Sequence, residues 1–145
     1  MKLISKTALQ IQKPITEVFD GIVNPSKMTQ YFISESTGLM ETGKDLMWKF
    51  PEFPERYSIT EITIEYPRSI CFVWDPKTVV SISLEKLADN STLVEVSENG
   101  KEVNETNLNW LVQNTGGWAN FLACLKAYLE YGIRLRKGAF DFMTL

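Results

Sequence analysis

The stretch from Asn104 to Arg136, NETNLNWLVQNTGGWANFLACLKAYLEYGIRLR, constrains the fold more than any other part of the chain. Leu111, Thr115, Trp118, Leu122, Leu125 and Leu129 recur at steps of three and four, which draws one long apolar stripe on an amphipathic helix. Phe121 and Gly132 lie beside the stripe. Lys126, Glu130 and Arg134 follow at i, i+4 and i+8 on another face, an order that suits a solvated surface. A helix this long and one-sided needs a broad partner, and the preceding sequence reads mainly as strands. The expected class is therefore α+β, a curved antiparallel sheet closed over by the helix, with any chemistry between the two.

Gly116-Gly117 sits awkwardly inside that helix. Two glycines in a helix interior cost about 2 kcal/mol relative to alanines, so something should offset them. The favoured expectation is a joint between a short helix ending near Asn114 and the long one, since Asn and Gly commonly terminate helices. The alternative is close approach of the backbone to the sheet or to a ligand.

Before the helix the chain divides into short elements. Leu3 to Gln12 reads as a strand with Leu3, Ser5, Thr7, Leu9 and Ile11 on one face. Pro14 opens a short helix marked by Ile15, Val18, Phe19 and Ile22, and Asn24-Pro25 caps and starts a second, running through Met28 to about Phe32. From Gly38 to Gly100 alternating segments follow one another between turn residues: Leu46 to Phe50, Arg56 to Tyr66, Ser69 to Trp74, Val80 to Leu84, and Val94 with Val96. Joined by short turns, these five strands and the N-terminal one make an antiparallel sheet of about six. Pro51 to Glu55, PEFPE, cannot be a central strand. It is expected as a loop, either a lip over a cavity mouth or a plain connection with Phe53 tucked onto the core.

With 145 residues, net charge −3 and 23% charged residues, one domain over 1–145 with a real core is expected. The only basic run is Arg134, Arg136 and Lys137, too little concentrated charge for nucleic acid and natural near a helix C-terminus. No apolar run approaches the ~18 residues of a membrane span, and Lys6, Gln10 and Gln12 interrupt any secretory core, so a cytoplasmic location is expected. Cys71 and Cys124 show no metal-type spacing and read as separate reduced thiols. Histidine is absent, which removes Ser-His-Asp and Cys-His catalysis and His-containing zinc sites. Neither metal nor cofactor is expected, and no catalytic residue is assigned.

Particular residues add a resemblance. Ile11 to Phe32, IQKPITEVFDGIVNPSKMTQYF, resembles the opening of the START-like (SRPBCC) superfamily, and Ser69 to Trp74 resembles its strand ending in tryptophan. Gly117-Trp118 followed by Phe121, Leu122, Leu125, Lys126, Tyr128 and Leu129 resembles the C-terminal helix of the branch named after the activator of heat-shock-protein ATPase. The resemblance implies a helix-grip fold, with two short helices after the first strand and an apolar cavity between sheet and long helix. It implies a small hydrophobic ligand, lipid-, sterol- or polyketide-like. Alternatives are a co-chaperone-like module whose partner is a chaperone, and a cofactor-free cyclase-like enzyme. No catalytic set is carried over.

Aromatics concentrate on the elements expected to face each other. Trp48, Phe50, Tyr57, Phe72 and Trp74 on strands, with Trp118, Phe121, Leu122 and Leu125 on the helix, are the candidate cavity residues; packed core is the competing reading. Glu61 shares a strand face with Tyr57, Ile59 and Thr63 and would point either into the cavity or, with Ile62 and Ile64 inward, to solvent. Tyr57, Glu61 and Tyr128 are the groups a cyclase-like enzyme would use. The apolar tail Gly138 to Leu145 is expected to pack on the body or on a second copy of the chain, a homodimer, or else to fray.

Overall fold

The computed structural model describes residues 1–144. Strand β1 (Lys2–Ile11) leads through α1 (Ile15–Val23) and α2 (Pro25–Met28) into β2 (Glu35–Ser36), β3 (Leu46–Lys49), β4 (Arg56–Glu65), β5 (Ser69–Val73), β6 (Val79–Lys86) and β7 (Thr92–Glu102). Helix α3 (Glu105–Tyr131) follows. The strands form one antiparallel sheet in the order β1-β7-β6-β5-β4-β3-β2, curved around the long helix in a helix-grip arrangement. Among the described residues it has seven strands rather than six. The extra one, β2, pairs Glu35 with Lys49 and Ser36 with Trp48, and two residues are too few to show any periodicity. Helix α2 ends at Met28, short of Phe32, with Thr29 as its C-cap.

The sheet's inner face follows the period-two pattern. Val80, Ile82 and Leu84 of β6 and Val94 and Val96 of β7 are buried, and Ile82 lies opposite Val96, Leu84 opposite Val94. On β4 the pattern breaks. Glu61 has φ of 51° and the pairing with β5 shifts between Thr60 and Thr63, the signature of a bulge. Ile59 and Ile62, three residues apart, therefore both point inward, while Glu61 is exposed. This decides the orientation of Glu61: it is not a cavity carboxylate.

Helix α3 corrects a second expectation. It runs without a joint through Gly116-Gly117 to Tyr131. Asn104 caps it, accepting from the Asn107 N–H at 2.8 Å. Gly132 ends it with φ of 66°, its N–H donating to the Tyr128 carbonyl at 2.9 Å, a left-handed cap that glycine adopts without strain. Close approach to the sheet is excluded as well, because a Cβ added at Gly116 or Gly117 would meet nothing within 4 Å. Intrahelical bonds need no side chain, so anchorage on either side carries the helix across the pair. Trp118, Phe121, Leu122, Cys124 and Leu125 are buried beyond it, and Thr115 and Ser5 share a hydroxyl hydrogen bond of 3.0 Å before it.

Candidate functional site

The inner face of the sheet and α3 do not close completely. Toward the N-terminal half of α3 they leave a cleft of about 490 Å³. Phe50, Phe53, Tyr57 and Trp74 form its sheet side, Trp110, Asn114, Gly117 and Trp118 its helix side, and Phe140 and Met143 of the tail its rim. Of the candidate cavity residues, Phe50, Tyr57, Trp74 and Trp118 thus meet at the cleft. Trp48, Phe72, Phe121, Leu122 and Leu125 do not line it; each is at most 1% exposed within the packed core. The two groups form one aromatic network, in which Trp74 stacks on Trp118 at 5.1 Å and Trp48 meets Phe72 at 5.4 Å. Of Tyr57, Glu61 and Tyr128, only Tyr57 lines the cleft; Tyr128 stacks on Tyr31 at 5.6 Å.

The tail and the PEFPE loop together make the cleft's outer ridge. Arg136 reaches Glu52 at 2.7 Å to Oε1 and 3.0 Å to Oε2, and its guanidinium lies over the rings of Phe140, Phe50 and Phe32 at 4.9, 5.4 and 5.8 Å. As far as Thr144 the tail is therefore held on the body, although Phe142 remains 65% exposed; Leu145 lies outside the described residues. Phe53 packs against the core and lines the cleft, so the loop is connection and lip at once. Behind Arg136 a second depression of about 440 Å³, more polar, runs between the Thr29 to Ser34 segment and the tail.

Gln113 and Asn120 at the cleft were not singled out from the sequence, and neither was the residue that ties its walls together. Glu98 of β7 is 1% exposed, and its carboxylate accepts four hydrogen bonds. Trp118 Nε1 and Asn114 Nδ2 donate to Oε1 at 3.0 and 2.9 Å; Thr78 Oγ1 and Trp74 Nε1 donate to Oε2 at 2.7 and 3.1 Å. Four neutral donors replace the water that a buried carboxylate gives up. Both oxygens are occupied, so Glu98 serves as a cross-link binding β7, the end of β5, the turn before β6 and α3. The available signal was its parity, since Val94 and Val96 point inward and position 98 continues that face. Because Asn114 must turn its amino group to the carboxylate, its Oδ1 is left as a buried oxygen with no partner.

The charges at the cleft are otherwise matched internally. Asp75 pairs with Lys101 at 2.9 Å. Burial alone would raise the Asp75 pKa, but the Lys77 backbone N–H and Lys101 outweigh it and hold it below the usual carboxylate range. Among the described residues no group of three or more His, Cys, Asp or Glu converges on a metal-sized site, Cys71 and Cys124 are free thiols, and no helix is long and apolar enough to cross a membrane.

The profile of the family described as Activator of Hsp90 ATPase homolog 1-like protein matches residues 12–130. Among solved structures, the protein SSP2350 from Staphylococcus saprophyticus superposes with a TM-score of 0.82 at 28% identity, over 92% of this chain and 96% of that one. DynU16, a protein of the dynemicin biosynthetic locus, gives 0.79 at 22% identity over 90% of this chain and 48% of its own, so this chain spans about half of it. The Aha1 dimer from Colwellia psychrerythraea gives 0.74 at 18% identity, over 90% and 98%. No curated protein is similar enough to match. Since the family profile spans Gln12 to Glu130 and so takes in both the sheet and most of the gripped helix, the chain belongs to the Activator of Hsp90 ATPase homolog 1-like protein family.

Proposed function

We propose that the chain binds a small, predominantly apolar molecule in the cleft between β4, β5 and α3. The observation that carries this reading is a cleft of about 490 Å³ with aromatic rings on both walls and no unpaired charge at Asp75 or Arg136. Ligand sites of this kind are concave and mostly apolar, with a few polar groups to set orientation. Trp74 is well suited to such a wall, because Glu98 takes its N–H and Trp118, 3% exposed, backs one side of its ring, leaving the half-buried remainder for contact. The kinship in fold with DynU16, from the dynemicin biosynthetic locus, is in keeping with a small-molecule role. Native mass spectrometry of the purified protein, together with thermal unfolding against a panel of apolar compounds, tests the reading. A co-purified or added apolar molecule should raise the melting temperature, and Tyr57→Ala or Trp74→Ala should diminish the shift. If no compound in the panel binds and nothing co-purifies, the proposal fails.

A further inference from the structure

Gly116 and Gly117 each weaken α3 relative to alanine, and among the described residues no contact requires either one: a Cβ at both positions meets open space. The two differ in what that open space is. Gly117 lines the cleft, midway along its helix wall between Asn114 and Asn120, whereas Gly116 does not line it. At position 117 the missing side chain therefore deepens the cleft and bares helix backbone opposite Phe53, Tyr57 and Trp74. A surface with backbone on one side and rings on the other accepts a thin object better than a bulky one. The charged groups nearby, Asp75 and Arg136, already have partners.

We propose that Gly117 is a specificity-determining residue, forming a flat platform in the cleft for an uncharged planar aromatic ring system. This rests on the proposed ligand-binding role and adds the shape of the ligand and the residue that selects it. The amides of Gln113 and Asn120 flank the platform on the same helix face, while that of Asn114 is turned to Glu98. The first two favour hydroxyl or carbonyl substituents at the ring edge.

The test compares Gly117→Ala with Gly116→Ala in the full chain, with 1,8-dihydroxyanthraquinone as the planar probe and 1-decanol as a flexible apolar one. Binding is read by tryptophan quenching or calorimetry and stability by thermal unfolding. Both variants should melt ~2–4 °C higher, because each gains helix propensity. Only Gly117→Ala should bind the anthraquinone about tenfold more weakly, since its methyl lifts the ring from the wall, and Gly117→Leu should abolish that binding. Equal affinity of Gly117→Ala and Gly116→Ala for the anthraquinone would overturn the platform while leaving the ligand-binding reading in place. So would binding of decanol without the anthraquinone by the unaltered protein. Failure of both probes and of the wider panel would overturn both readings.

Discussion

The two halves of α3 meet the same sheet differently. Beyond Trp118 the helix is sunk into the core, with Phe121, Leu122, Cys124 and Leu125 fully buried and Leu129 reaching within 3.2 Å of where a Gly21 Cβ would stand on α1. Before Trp118 no residue of the helix is buried, and the space beneath it is the cleft. The closed half packs on β1 and α1 and has rings of its own, Phe121 against Phe32 at 4.8 Å and Tyr128 on Tyr31 at 5.6 Å; the open half is framed by rings and by helix positions carrying amides or no side chain. Burial of apolar area holds the first half in place. The second depends on fixed polar links, above all Glu98 at the boundary and Arg136 with Glu52 at the rim. Stability and the proposed binding thereby fall to different stretches of one helix.

Removing the boundary should have the largest effect. Glu98→Ala leaves four donors without an acceptor, and a loss of about 4 kcal/mol is expected in urea unfolding, with altered fluorescence from Trp74 and Trp118. A loss below about 1 kcal/mol would show that the cross-link matters little to either half. Next, Leu125→Ala should cost about 3 kcal/mol through the cavity it opens in the closed half, while ligand affinity at the cleft stays the same. A parallel drop in affinity would mean the halves are not separable. Arg136→Ala should cost about 2 kcal/mol by stranding the Glu52 carboxylate, the two side chains being 13% and 7% exposed in the pair. Its signature is faster hydrogen exchange confined to residues 133–144, with protection around Leu125 unchanged.

The smallest effect is on pH dependence and belongs to the closed half. Burial would raise the pKa of Glu130, but Lys126 Nζ at 2.5 Å and the Gln12 backbone N–H at 2.8 Å outweigh it and leave it lowered. A carboxyl lowered in the folded state binds its proton more readily when unfolded. It therefore contributes stability above its unfolded pKa, and that contribution fades as pH falls through the lower folded value. Glu130→Gln should accordingly be less stable than the unaltered protein at pH 7, with the gap narrowing on acidification below the ordinary carboxylate range. A gap that does not change with pH would show that the carboxylate's charge is not what ties α3 to β1.

Much of the frame was legible because it rests on local periodicity. The stripe on α3, the cap at Asn24-Pro25 and the alternation in β1, β6 and β7 are short-range patterns that tertiary packing confirmed. The errors sit where local rules were ambiguous or too brief. Gly116-Gly117 looked like a terminator by propensity, yet packing and capping on either side hold one continuous helix. For Glu61 alternation left two orientations open, and the extra residue at the bulge settled it for solvent by turning Ile59 and Ile62 to the same inner face. Strand β2 was too short to register. Glu98 could have been found by extending the alternation of β7 two residues past Val96, but nothing local says that two indoles, a hydroxyl and an amide from distant segments would meet it.

By itself, then, the sequence determined the element order apart from β2, the gripped helix and the aromatic character of the space between helix and sheet, because hydrophobic period and turn chemistry are written in consecutive residues, and its motifs carried the family resemblance. Only the tertiary structure decided which aromatics fill the core and which face the cleft, that Glu98 joins β7 to α3, and that Gly117 opens onto space while Gly116 does not. Those outcomes depend on sheet curvature, one bulge and the return of the tail through Arg136 and Glu52, all of them set by contacts between residues far apart in the chain.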